Sequence, residues 1–260
     1  MATIKPKHGI VGFFDILGYT NFLENNDAQD AATVIVDVLT KLHEKVPKLA
    51  TEVFQHTAEE FRKPLDRVEW LVFSDTILVV LPWSKAEVDR YRFNEWVAFT
   101  MIAQILSRMM FDYGLPLRGA ITTGDFVLEG NCFAGKSIIE AHHLSESLDL
   151  AATALSRGAA QDMQVLFKKN GYSPHHLFQE YLLPLKGQSH AKHLVLSPTP
   201  CVKPFQGDIP QLVAETFWRH NKDVPVNVVP KLKNTEMLFR FLKMKHAHIF
   251  GDKDASTASP

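Results

Sequence analysis

The sequence has little of what would tie a chain to an oxidising compartment, a membrane or a polyanion. Its 260 residues include two cysteines, Cys132 and Cys201. They lie far apart and read as reduced thiols rather than a disulfide framework. No stretch reaches the roughly 18 to 20 apolar residues of a membrane-spanning helix, and the N-terminal MATIKPKHG lacks a signal-peptide core. Lys+Arg 28 against Asp+Glu 29 leave a formal net charge of -1. No general affinity for nucleic acid or anionic membrane is therefore expected, and any phosphate site must be local. Twelve histidines are present, but neither a His-Asp doublet nor an HExxH pattern that would mark a metallohydrolase. His175, His176, His190 and His193 read as surface residues. His142 and His143, adjacent on a helix, cannot both face one site. There is no internal repeat. These absences lead to the expectation of a soluble, cytoplasmic globular protein.

Hydrophobic residues make up 46% of the chain, enough for one large domain or a domain with a sizeable extension. Residues 9–16 form a short continuous apolar run, as in a strand buried on both faces. Thr20 is placed to cap a helix, and helical spacing follows over 20–48 with a break near Glu24–Asp30. VEWLVFSDTILVVLP, residues 68–82, reads as a hairpin turning at Ser74-Asp75. Residues 85–113 read as one long helix ended by Gly114 and Pro116. LRGAITTGDFVLEGNCFAG, residues 117–135, holds two apolar runs separated by Gly124-Asp125, and residues 136–165 favour helix. Beyond 165 the pattern loosens to a Gly171–Pro174 break, one strand at Lys192–Ser197, a proline-rich connection over 198–210 and two helical stretches. The expected fold is α+β, with helices packed on a mixed or antiparallel sheet. A catalytic core is expected over 1–165, a C-terminal extension packed on it over 166–250, and a disordered tail over 251–260.

Two aspartates stand where carboxylates are expensive. Asp15 ends an otherwise apolar strand, where an ionised group needs compensation. A cap or a salt bridge would provide it; so would a metal ion. Gly18 follows, and it permits a sharp turn that points several backbone N–H groups at one anion. A carboxylate beside free amides suits a metal-bound phosphate. Asp75 sits at the turn of the 68–82 hairpin, where aspartate is also an ordinary turn residue. Two strand-end carboxylates on neighbouring strands can hold two divalent ions for in-line displacement at phosphorus.

In this order, FFDILGYTNF, FSDTILV, LRGAITTGDF and CFAGKSIIEAHHL resemble the catalytic domain of the class III nucleotidyl cyclases over roughly residues 8–150. The resemblance implies that Asp15 and Asp75 ligate two Mn²⁺ or Mg²⁺ ions, with the Ile16 carbonyl as a further ligand. The amides of Leu17, Gly18, Tyr19 and Thr20 would face the β- and γ-phosphates, and Arg118 would bind the triphosphate. It also implies a homodimer with two composite active sites, the metal aspartates from one chain and the last-helix residues from the other.

The chain departs from the family at the base-reading positions, which fall on Leu71 and Cys132. Leucine cannot hydrogen-bond a purine edge, and Trp70, Phe73 and Phe133 would narrow a pocket towards a smaller base. Asn131 carries both a donor and an acceptor for either pyrimidine. The combination resembles the uridylate cyclases of the bacterial Pycsar anti-phage system, whose cyclic UMP activates a separate effector. UTP is favoured, with CTP or a purine nucleotide as alternatives. The family's transition-state asparagine and arginine fall on Ile139 and His143. Lys136 or Arg157 would supply the missing charge, or else the domain binds nucleotide or a partner without turnover.

Overall fold

The computed structural model describes residues 5–56, 59–83, 89–199, 204–205 and 207–250. Cys201 and the tail 251–260 lie outside the described residues.

The apolar run near the N-terminus becomes β1 (Lys7–Ile16), with six consecutive fully buried residues. It lies between two antiparallel neighbours, β3 (Thr76–Pro82) and β4 (Leu117–Glu129). Covered on both faces, it needs apolar side chains at odd and even positions alike. Ile10, Phe14 and Ile16 face one core and Val11 and Phe13 another. β2 (Glu69–Phe73) pairs with β3 through a two-residue turn at Ser74-Asp75, with Ser74 at φ 55°.

The expected break in the early helical region resolves into α1 (Tyr19–Glu24), α2 (Ala28–Leu39) and α3 (Leu42–Val53). Asp27 caps α2, its carboxylate accepting from the amides of Gln29 and Asp30. Thr20 is not a cap: it lies within α1, whose N-cap is Gly18. The long helix is α4 (Asp89–Asp112), followed by Gly114 at φ 78°, in the left-handed region that ends helices. The expected interruption at Gly124-Asp125 does not occur. β4 runs through it, and the chain reverses at Gly130-Asn131 into β5 (Cys132–Ala134).

The segment expected to be helical over 136–165 is α5 (Lys136–Ser147) and α6 (Arg157–Lys169), with β6 (Thr153–Leu155) between them. β6 pairs parallel to β4, and β8 (Ser189–Leu196) joins it. The strand preceding that one in sequence, β7 (Phe178–Leu185), completes the sheet in the order β2-β3-β1-β4-β6-β8-β7, with β5 branching from β4. The division expected at 165/166 falls inside α6, and the later strands continue the same sheet. α7 (Ile209–Trp218) and α8 (Val229–Lys245) pack with Leu17, Leu148, Leu150, Leu183 and Val195 in a separate core.

β1 and β3 approach closely at Gly9, where an added Cβ would fall 2.2 Å from the Leu81 carbonyl oxygen. Backbone on a central strand cannot yield cheaply. Gly9→Ala is expected to destabilise the protein by about 2 to 4 kcal/mol. Chemical denaturation checks this; an unchanged midpoint would contradict the register.

Candidate active site at the end of the central strand

Side chains on β1 alternate, so Asp15 emerges on the same face as Val11 and Phe13, the face covered by α5. Register places it opposite Arg118 on β4 and Thr76 on β3. The Arg118 guanidinium donates through Nε to the carboxylate at 2.6 Å and lies 2.5 Å away through Nη2. Its third nitrogen donates to the Glu146 carbonyl near the end of α5 at 3.3 Å. The Asp15 and Arg118 side chains are only 15% and 13% exposed. The salt bridge weighed from the sequence is therefore present, and it is what compensates Asp15 in the metal-free protein.

Asp75 reaches the same place from the β2–β3 turn. Its carbonyl accepts from the Ile16 amide at 3.0 Å, tying the turn to the end of β1. Burial pushes the Asp15 carboxyl above its ordinary value, more than Arg118 pulls it back, and the neighbouring Asp75 carboxylate adds to the rise. Asp15 thus has a second acid beside it as well as its arginine partner. Among the described residues no group of three or more His, Cys, Asp or Glu gathers to hold a metal. The oxygen donors offered by the sequence at this point are the two carboxylates and, as a candidate, the Ile16 carbonyl. That oxygen-only set fits Mg²⁺ or Mn²⁺, which commonly take one or two protein carboxylates and complete their shell with water and substrate phosphate.

The turn after β1 opens α1 without any side-chain cap, and Gly18 stands at φ 78°. Glycine adopts that conformation freely where other residues do not. The amides at the start of a helix have no partners within it, so those of Gly18, Tyr19 and Thr20 belong to the candidate anion site. Leu17 does not: its amide donates to the Pro116 carbonyl at 2.9 Å and its side chain is buried against the C-terminal helices. A loop between α7 and α8 braces this turn from beneath. Lys222, almost fully buried, packs near Gly18 and donates to the carbonyls of Gly114 and Thr216. Burial lowers its pKa to about 8. Around it, Asn21 donates to the Asp223 carbonyl, Asn26 to the His220 carbonyl, and the Phe22 and His220 rings meet edge to face.

The base-reading candidates divide. Leu71 packs against the core beneath α5, which includes Phe126 and Leu128 of β4. Trp70 faces the opposite core, as strand alternation requires, and leaves the candidate set. Phe73, Asn131, Cys132 and Phe133 are exposed. On α5, Lys136, Ile139 and His143 are exposed along one side, whereas His142 packs edge-on against Phe13 at 4.9 Å. Lys136 stands ten residues before Glu146, roughly 15 Å along the helix, and so is remote from Asp15 of its own chain. Arg157 begins α6, whose buried residues join the core on the other side of the sheet.

No family profile matches the sequence, and no curated protein does. Solved structures do. The adenylyl cyclase CyaB from P. aeruginosa superposes with a TM-score of 0.50 at 14% identity, over 77% of this chain and 100% of that one. The chain has the α+β fold of a nucleotidyl cyclase catalytic domain. The catalytic core of a rhodopsin-guanylyl cyclase with converted specificity, in complex with ATPalphaS, gives 0.49 at 14% identity over 76% and 99% of the two chains. The non-canonical dimeric guanylyl cyclase domain of the RhoGC fusion protein from Blastocladiella emersonii gives 0.46 at 14% identity over 75% and 98%.

A carboxyl whose pKa is raised on folding is protonated more readily in the folded state than in the unfolded one. The metal-free protein should therefore lose stability as pH rises from the ordinary carboxylate range through the raised value of Asp15. Asp75→Asn removes the repulsion and leaves the Asp15–Arg118 pair intact. Its melting temperature without metal is expected to exceed that of the parent by roughly 2 to 4 °C near neutral pH, with a smaller decline as pH rises above the ordinary carboxylate range, near about 4. Calorimetry across that range checks both; a lower melting temperature for the variant would contradict the picture of two repelling acids.

Proposed function

We propose that this protein is a nucleotidyl cyclase that converts a nucleoside triphosphate to its 3',5'-cyclic monophosphate and pyrophosphate, with UTP the favoured substrate. The observation that carries the reading is the meeting of Asp15, Asp75 and Arg118 at one strand end, beside the uncapped turn at Gly18. Asp15, Asp75 and the Ile16 carbonyl would hold the two divalent ions. When bound, these supply Lewis acidity at the ribose 3'-hydroxyl and neutralise charge on the leaving pyrophosphate. Arg118 would move from Asp15 to the triphosphate, since the ion pair it makes in their absence is then no longer needed. The Gly18–Thr20 amides would hold phosphate oxygens. The new bond joins the 3'-oxygen to the α-phosphorus as the bond to the β-phosphate oxygen breaks, so the work left to the chain is positioning and charge stabilisation.

A homodimer is part of the proposal. Phe73, Phe133 and Ile139 are 73%, 47% and 55% exposed, and large apolar side chains left in solvent are what an interface between copies would cover. A second copy would bring Lys136 and His143 to the carboxylates that their own chain keeps distant. The preference for UTP rests on Leu71, which offers no hydrogen bond to a purine edge, while Asn131 and Cys132 are exposed and free to meet a base. Synthesis of a messenger for a separate effector in anti-phage defence is the role that fits this substrate. The exposed Ile139 favours one competing reading, a cyclase-like domain that binds nucleotide without turnover.

Subunit complementation tests the composite site. Asp75→Asn and Lys136→Ala homodimers are each expected to lose activity, the first by at least about a thousandfold. Mixed after dissociation, random pairing would restore about a quarter of the parental sites, all in heterodimers. Activity in Asp75→Asn alone would overturn the metal assignment. Two inactive variants that fail to complement would place both residues in one chain's site and remove the composite arrangement.

A further inference from the structure

Between α4, the sheet and α8 lies a cavity of about 70 Å³, at the seam of two hydrophobic cores. Leu117 of β4 and Leu196 of β8 line it from one core, and Phe111, Phe205, Phe239 and Leu242 from the other. The three phenylalanines pack ring against ring, with centroids 5.8, 4.9 and 5.5 Å apart. Into these apolar walls α4 sends Gln104 and Arg108, four residues apart and therefore on one face of the helix.

Both carry a buried polar atom without a hydrogen-bond partner among the described residues. Gln104 is 2% exposed. Its Nε2 donates to the Ser197 carbonyl at 2.9 Å, which fixes the orientation of the amide and leaves Oε1 as an unpartnered acceptor. The Arg108 side chain is 9% exposed, with its guanidinium 3.8 Å from the centre of the Phe205 ring. Its Nε donates to the Asp112 carboxylate at 2.8 Å, so its charge is already matched, and Nη1 is left as an unpartnered donor. Buried polar atoms in this condition are costly.

Water satisfies them poorly. A buried water typically makes about three hydrogen bonds, and the hydroxyls of the lining are already paired, Ser107 with Thr153 at 3.4 Å and Ser197 with His246 at 3.3 Å. At about 10 to 15 Å³ for each water-sized group, the volume suits one aromatic ring with a short substituent. That substituent has to offer an acceptor to Arg108 and a donor to Gln104. A carboxylate has acceptors alone and would face the Gln104 oxygen, whereas a primary carboxamide supplies both.

We propose that this cavity is a binding site for a small, neutral aromatic carboxamide. The ring lies among Phe111, Phe205 and Phe239, the carbonyl accepts from Arg108 Nη1, and the amide N–H donates to Gln104 Oε1. The proposal does not rest on the cyclase reading. Leu117, in the lining, directly precedes Arg118 and projects to the opposite face of β4. A ligand here therefore abuts the strand that holds Arg118 against Asp15.

Ligand-observed NMR titration of the full chain with benzamide, benzoate and toluene tests the site. Benzamide is expected to bind with a Kd below about 1 mM, within reach of a ligand of this size, and benzoate and toluene at least about fivefold more weakly. Gln104→Met removes the acceptor at similar side-chain length; it is expected to weaken benzamide about fivefold and to leave toluene unchanged. Ser107→Leu places an apolar side chain in the cavity and is expected to abolish benzamide binding without lowering the melting temperature, so the test stands even if Gln104→Met does not fold. No binding of benzamide to the parent overturns the proposal, since water alone then meets the two atoms. Unchanged binding in Ser107→Leu overturns it by placing the ligand elsewhere. Benzoate binding more tightly than benzamide overturns the chemical class, and toluene binding as tightly as benzamide removes the roles of Gln104 and Arg108.

Discussion

The site depends on keeping a carboxylate at the end of a strand that is otherwise sealed from water. β1 is buried on both faces because β3 and β4 flank it and separate cores cover it above and below. Asp15 lies at the point where that enclosure ends. Burial disfavours its charged form, Asp75 disfavours it further, and Arg118 offsets part of the cost. The net result is a carboxyl held above its ordinary pKa. Optimised for stability alone, the position would not carry a second acid. Everything proposed for the chemistry uses this imbalance: divalent ions would satisfy the acids and free Arg118 for the triphosphate.

Around this point the fold supplies support from distant parts of the chain. The Asp75 turn is tied to β1 by one backbone hydrogen bond. The turn at Gly18 is held from below by the 219–223 loop, in which His220 and Asn221 both adopt positive φ, at 63° and 55°. Two successive non-glycine residues in that region carry strain that their contacts must outweigh. Those contacts reach α1 through Asn21, Asn26 and Phe22, and the α4–β4 turn through Lys222 and His220. The C-terminal region is thereby bound to the Gly18 turn rather than appended to the far side of the sheet.

The parts of this arrangement that were legible in the sequence are those with short-range signatures. A continuous apolar run ending in aspartate, a hairpin centred on Ser74-Asp75 and a helix closed by Gly114 each announce themselves within about twenty residues. The continuity of β4 through Gly124 was not legible, because glycine and aspartate together signal a turn more often than an extended bend. β6 has three residues and no periodicity to detect. β7, FQEYLLPL, contains a proline and alternates poorly, and it sits beside β8 at the edge of the sheet, where the demands on each residue are lower. The commitment of the Leu17 amide to Pro116, and the approach of Lys222 to the turn, join residues about one hundred to two hundred positions apart. No local pattern encodes them.

The most direct test of the central claim is the identity of the product. Purified protein incubated with Mn²⁺ and equal concentrations of ATP, GTP, CTP and UTP should yield cyclic UMP, with pyrophosphate released in equal amount, as read by mass spectrometry. A cyclic purine as the main product would keep the chemistry and contradict the reading of Leu71 as the residue that excludes purines. Bound nucleotide recovered unchanged, with no cyclic product of any base, would contradict the account of Asp15 and Asp75 as a catalytic pair.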